Sequence, residues 1–173
     1  MKSILLVIAV LFMDGIQDVG KIGKINQYKK LAQNAFENKQ FKEAEHYFKY
    51  LTDTLKVQED EVVINLGHTY LQLNESESAA QCYEKILSSK NKKNASIAAN
   101  QLGVLSFNQN QDKDKAKSLF KEALRYDAEN EKARHNLEWI SKLRDQDQKN
   151  QQNKNKDKNE NKDQKDQQKD KGD

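Results

Sequence analysis

Three stretches of the chain can be laid over one another: YKKLAQNAFENKQFKEAEHYFKYL from Tyr28, VINLGHTYLQLNESESAAQCYEKIL from Val63, and AANQLGVLSFNQNQDKDKAKSLFKEAL from Ala98. Each holds a Leu followed by a small residue, at Leu31–Ala32, Leu66–Gly67 and Leu102–Gly103. A second small residue follows (Ala44, Ala79, Ala116), then an aromatic (Phe48, Tyr83, Phe120) and one more apolar or small residue (Leu51, Ile86, Ala123). The interval is 35 to 37 residues. A period of this size marks units that cannot bury a core alone and must stack on their neighbours.

Within each unit the apolar spacing predicts two helices of about 14 residues. Polar punctuation separates them around 38–40, 74–77 and 108–114. Glycine inside a helix costs about 1 kcal/mol relative to alanine. Its presence at Gly67 and again at Gly103 therefore calls for a packing reason, and the expectation is a close approach of the first helix to Ala79 or Ala116 of the second. The aromatic of the second helix is then expected to fill the gap towards the next unit. Residues 131–143, with Leu137, Ile140 and Leu143, read as the first helix of a fourth unit that lacks its partner. Lys132, Glu138, Lys142 and Arg144 make it a water-tolerant cap.

Beyond this helix the pattern stops. Residues 145–173 contain eight Lys, eight Asp or Glu and twelve Asn or Gln, with no Val, Leu, Ile, Met or aromatic residue. Such a segment cannot bury enough apolar surface to offset the entropy of ordering, and it reads as a disordered, hydrated spacer of zero net charge. At the other end, MKSILLVIAVLFMDG carries ten consecutive apolar residues over 4–13 after one Lys. Ten is short of the roughly 20 that span a bilayer but fits the apolar region of a secretory signal. The run serves as either a removable signal or a weak membrane anchor, which favours an exported protein, periplasmic or on the periplasmic face of the inner membrane, over a cytoplasmic one. A net charge of +3 with Lys and Asp interspersed does not make a nucleic-acid binder.

No catalytic arrangement emerges. There is no glycine-rich phosphate loop, HExxH or GxSxG motif, and Cys82 is the single cysteine, so neither a disulfide within the chain nor a paired metal site can be drawn. His46, His68 and His135 fall in separate units and read as surface or packing residues. Glu59 and Glu61 sit at a helix start, where acids favour the dipole. The sequons at Asn74 and Asn94 fall in turns and are explained by chance. The expectation is a non-enzyme without cofactor or metal.

The repeated residues resemble the tetratricopeptide repeat (TPR), whose pattern sets Leu–Gly, Tyr, Ala, Phe, Ala and Pro over about 34 residues. The second unit matches at Leu66, Gly67, Tyr70, Ala79 and Tyr83, and the third at Leu102, Gly103, Ala116, Phe120 and Ala123. The first has Ala32 for Gly and Ala35 for Tyr, and the closing Pro is replaced by Lys56, Asn91 and Ala128. The resemblance implies an all-α, right-handed superhelical solenoid of about three helix pairs plus a C-terminal capping helix. On this reading residues 1–15 are the signal-like or anchor segment, 16–24 a linker, and 25–144 the TPR domain. The repeats fall at about 25–58, 60–93 and 96–130, with the cap at 131–144 and the tail at 145–173. The third repeat, the run Ala133–Arg134–His135–Asn136 and the polar tail are also similar to the BatC family of Bat-type aerotolerance operons. That similarity implies a scaffold associated with von Willebrand factor A-type membrane proteins.

A TPR array presents a concave surface lined by the first helix of each pair. Alignment places Lys29, Gln33 and Phe36, then Ile64, Asn65, His68 and Leu71, then Asn100, Gln101, Val104 and Phe107 on it. Apolar anchors flanked by amides suit an extended peptide or a partner helix. Ile64, Leu71, Val104 and Phe107 fit equally well as core between repeats. The family's clamp for a C-terminal carboxylate keeps Lys29 and Asn65 here, but Gln33, Ile97 and Gln101 stand where Asn or basic residues are needed. Three readings follow: an exported adaptor, a chaperone-linked intracellular cofactor, and a module that self-associates through Leu137 and Trp139.

Overall fold

The computed structural model describes residues 2–146, with side chains from residue 20 onward. The polar tail from residue 147 and the side chains of the apolar run at 4–13 lie outside the described residues. The backbone forms α1 (Lys2–Glu37), then α2 (Phe41–Lys49), which runs on into a π turn (Tyr50–Thr54). It continues with α3 (Asp60–Gln72), α4 (Ser76–Ile86), α5 (Lys92–Asn110) and α6 (Lys113–Tyr126), followed by α7, residues 131–146. No strand occurs among the described residues. Residues 16–24, expected as a linker, are helical and belong to α1. They contain no proline, and Gly20 and Gly23 lower helix propensity without removing a hydrogen bond.

The helices pack as α1/α2, α3/α4 and α5/α6, and each pair stacks on the next through α2 on α3 and α4 on α5. The expected solenoid is the observed architecture. Its core runs the length of the stack. Ala32, Ala44, Phe48, Leu51 and Leu66 fill the first part. Tyr83, Ile86, Ala98 and Leu102 fill the middle. Ala116, Phe120 and Ile140 join α7 to the last pair, and a second contact on α7 comes from Ala133 against Ala99 and Ala123.

The two glycines explain how close a pair can come. A Cβ added to Gly67 would stand 2.9 Å from the Tyr83 ring, and one added to Gly103 only 2.5 Å from Phe120 Cε1. The residue that demands glycine is therefore the aromatic of the same pair, not Ala79 or Ala116. A flat ring laid on the helix backbone buries more area than two facing methyl groups, and it leaves no room for a Cβ. In the first pair Ala32 and Phe48 occupy these positions, and both are buried.

The missing prolines also find a cause. Lys56 adopts φ 57°, whereas a proline ring fixes φ near −65°, so the chain could not turn here with proline. Asn91 instead caps α5, its Oδ1 accepting from the backbone N–H of Lys93 and Asn94 at 3.1 and 3.4 Å. Asp112 caps α6 through Lys115 N at 2.9 Å. Asn130 caps α7 through Ala133 N at 3.0 Å. Such caps each contribute about 1 kcal/mol.

Polar side chains stitch the helices together within and between pairs. Buried Ser96 donates to Ala123 O at 2.7 Å and accepts from Asn130 Nδ2 at 2.8 Å. The Asp60 carboxylate accepts from Asn94 Nδ2 at 3.2 Å and from the Ser89 hydroxyl. Lys42 reaches Glu75 at 2.8 Å across the first interface.

Candidate peptide-binding surface

The first helix of each pair, together with α7, forms the inner layer of the solenoid, and α2, α4 and α6 form the outer one. Charge is scarce in the middle of the inner layer: α3 after Glu61 and α5 after Lys93 carry no charged residue. What remains there is amide, imidazole and apolar surface.

The structure distributes the sequence-derived site residues unevenly. At the N-terminal end, Lys29 Nζ lies 2.6 and 2.5 Å from the two Glu59 carboxylate oxygens, so its ammonium is already engaged. Exposed Gln33 donates to Glu37 Oε1 at 2.8 Å. Phe36 packs on the first core with its ring edge-on to Phe41 at 5.6 Å. Ile64 is a correction: at 5% exposure it belongs to the core with Tyr83 and Leu102, because its side chain points into the seam between the second and third pairs. Leu71 packs against the same cluster. Asn65 is half-buried, and its carbonyl accepts from the Thr69 hydroxyl at 2.7 Å.

Further along, the inner residues engage one another. His68 Nε2 lies 3.2 Å from Gln101 Nε2, linking α3 to α5. Burial, and secondarily the charge of Lys132, push the His68 imidazole below its ordinary pKa. It is therefore neutral at physiological pH. Asn100 is also buried, at 5% exposure, with its Oδ1 accepting from Asn136 Nδ2 at 2.9 Å across to α7. Asn100 thus orients Asn136 and, although largely buried, borders the hollow between α5 and α7.

Val104 and Phe107 face two ways. They pack on the cluster of Ala116, Phe120 and Ile140, and they also line an open hollow of about 310 Å³ with His135, Asn136 and Trp139. A second hollow of about 400 Å³ continues from it, lined by Asn100, Gln101, Val104, Glu131, Lys132, His135 and Asn136. Because Val104, His135 and Asn136 border both, the two form one groove between α5 and α7. Trp139 sits edge-on to Phe107, ring centres 4.8 Å apart, and remains 41% exposed.

Sequence reasoning read α7 as a cap, with Trp139 as a self-association contact and Lys132 on its solvent face, and so did not place Lys132, His135, Asn136 and Trp139 on the concave surface. The signal was available. Leu137 follows Leu102 by 35 residues, the same interval that aligned the earlier repeats, and carrying that register forward puts His135 and Trp139 on the inner face. A further concavity, about 500 Å³, lies elsewhere, between α2 and α4 behind α3, lined in part by Lys49, Asp53, Tyr70, Gln81 and Cys82. Burial pushes Tyr70 up to about 12 and raises the Cys82 thiol, so neither is ionised near neutrality and Cys82 acts as a small core residue. No cluster of metal-ligating side chains occurs among the described residues.

Comparison with known proteins agrees with this geometry. Residues 60–93 match the model of the tetratricopeptide repeat, the same bounds as the second of the three sequence repeats. The fold is similar to the crystal structure of the Sgt2 TPR domain from Aspergillus fumigatus, with TM-score 0.62 and 16% identity over 73% of this chain and 82% of that one. It is also similar to the first TPR of Spaghetti (RPAP3) bound to the HSP90 peptide SRMEEVD, with TM-score 0.60 and 18% identity over 69% of this chain and 92% of that one. No curated protein matches the sequence.

Proposed function

We propose that this chain is a non-enzymatic adaptor whose concave surface holds an extended segment of a protein partner. The observation that carries this reading is the continuous groove between α5 and α7, where apolar and amide side chains converge on an exposed tryptophan. Apolar hollows with a few placed polar groups are what peptide recognition needs. The helix pairs supply a rigid backing that does not have to be ordered on binding.

The adaptor works outside the cytoplasm or at the membrane, as part of a Bat-type complex with von Willebrand factor A-type membrane proteins. Support comes from the apolar run at 4–13 and from the BatC-like run at Ala133–Asn136 followed by the polar tail. Among the described residues no helix is long and apolar enough to cross a membrane. The tail then serves as a hydrated spacer.

A chaperone-linked cofactor is the second reading, favoured by the likeness to a TPR structure holding an HSP90 peptide. Against it, Lys29 is engaged by Glu59, and Ile97 and Gln101 stand where a carboxylate clamp needs bases or Asn. Crosslinked affinity capture from native membranes, read by mass spectrometry, separates the two. Recovery of von Willebrand factor A-type membrane proteins is the expected result; recovery of soluble chaperones alone would overturn the membrane assignment.

A further inference from the structure

We infer that the groove between α5 and α7 takes an internal, extended acidic segment of a partner protein. One bulky apolar side chain of that segment enters the hollow beside Trp139, and carboxylates on either side of it meet Lys132 and Lys142. This rests on the adaptor reading and names the chemistry of its ligand.

The hollow supplies the apolar half of the argument. Phe107 holds Trp139 edge-on, Val104 and His135 close the sides, and the space of about 310 Å³ is open to solvent. An indole left 41% exposed against such a hollow is the kind of surface that anchors binding, since aromatic residues in pockets carry most of the energy at interfaces.

Charge supplies the other half. On α7 the inner stripe runs through Lys132, His135, Asn136, Trp139, Lys142 and Leu143, with two lysines, and Glu131 borders the second hollow next to Lys132. By helical geometry Lys142 falls within about 20° of His135 around the axis, and it lies about 15 Å from Lys132 along it. Neither lysine forms an ion pair among the described residues, and the opposing stretch of α5 after Lys93 has no charge to answer them. An extended backbone advances about 3.3 Å per residue, so the span matches an acid, a spacer, a bulky apolar residue, a spacer and a second acid. The chain's own segments each fail one half of this requirement: the tail has no apolar residue to fill the hollow, and the run at 4–13 has no acid. The segment is internal because the two lysines flank Trp139 along α7, seven residues before it and three after it, which calls for a carboxylate on each side of the apolar anchor.

Trp139 is the single tryptophan, so the groove carries its own reporter. The doubly capped peptide acetyl-GDSFSEG-amide, titrated into the full chain, is expected to produce a saturable change in tryptophan emission that weakens with added salt. Lys132→Ala combined with Lys142→Ala, or replacement of the peptide's Phe by Ala, is expected to weaken binding at least about tenfold, the factor expected from losing one good contact. Absence of a saturable change, or one indifferent to both lysines, overturns the inference. So does an emission shift on deletion of residues 147–173, which makes the tail the occupant, or one that depends on protein concentration, which makes it a second copy. Partner capture that persists in the double-lysine variant overturns the inference and leaves the adaptor reading standing. Failure of the unaltered chain to capture any partner removes both.

Discussion

Gly103→Ala puts the close packing of the repeat to a quantitative test. In an open helix the change would stabilise by about 1 kcal/mol through helix propensity. Here the new Cβ lies 2.5 Å from Phe120 Cε1 and 2.7 Å from Cδ1, against a comfortable carbon–carbon separation of about 3.5–4.0 Å. The ring must therefore shift by about 1 Å. Phe120 is only 1% exposed, packs on Ala116 and Ile140 and borders the hollow beside Trp139, so a shift away from Gly103 must break that packing. Overpacking of this kind costs about 1–3 kcal/mol, and the severity of the contact places it in the upper half of that range. The net expectation is a loss of about 1–2 kcal/mol, read as a fall of about 0.5–1 M in the urea midpoint followed by helical circular dichroism. Gly67→Ala, whose nearest contacts are 2.9 Å from Tyr83, should lose less. Gly23→Ala, with nothing within 4 Å, should gain up to about 1 kcal/mol and is the internal control. Adding Phe120→Leu to Gly103→Ala should be less damaging than the two single changes summed. A Gly103→Ala protein as stable as Gly23→Ala would refute the argument that the aromatic ring requires the glycine.

Two further outcomes follow from the hydrogen bonds. Asn130→Ala removes both the cap of α7 and the bond to buried Ser96, so it should cost about 2 kcal/mol. Asn91→Ala removes a cap alone and should cost about 1 kcal/mol, both read by denaturant midpoint. The His68 imidazole is held below its ordinary pKa by burial and by Lys132, so the unfolded chain binds its proton first as pH falls. His68 therefore contributes stability that is present above about pH 6.5 and lost as pH drops through the folded-state value. The melting temperature should fall over that interval, and His68→Gln should flatten the fall; an unchanged profile in the variant would remove His68 as its cause.

Architecture was legible because a stacked repeat writes the same small and aromatic residues at a fixed interval. Leu66, Gly67, Ala79 and Tyr83 announce one pair, and their counterparts announce the next. What the pattern could not say is which partner a small residue makes room for, since Ala116 and Phe120 lie one helical turn apart on the same helix, and only Phe120 meets Gly103. The inner surface was harder to read for a related reason. Spacing assigns a residue to a face of its helix, but burial depends on how closely the neighbouring helix approaches. Ile64 and Asn100 sit on the inner face by register and are covered because α5 and α7 close over them, whereas Trp139 stays open because no eighth helix among the described residues packs on α7. Reading α7 as a terminal cap hid its inner stripe, although the interval from Leu102 to Leu137 would have exposed it. The engagement of Lys29 by Glu59 joins residues 30 positions apart, a contact that neither helical nor repeat spacing encodes.

The most direct test of the account is to place a photo-crosslinking side chain at single positions of the full chain and ask which of them capture the partner in native membranes. Gln33 and Lys132 represent the inner surface, and Glu84 on α4 and Lys121 on α6 the outer layer; all four are exposed. The account predicts a crosslinked partner from Lys132 above all, and none from Glu84 or Lys121. Capture from the outer positions with none from Lys132 would contradict it, because the partner would then ride on the back of the solenoid and the groove beside Trp139 would be empty of purpose.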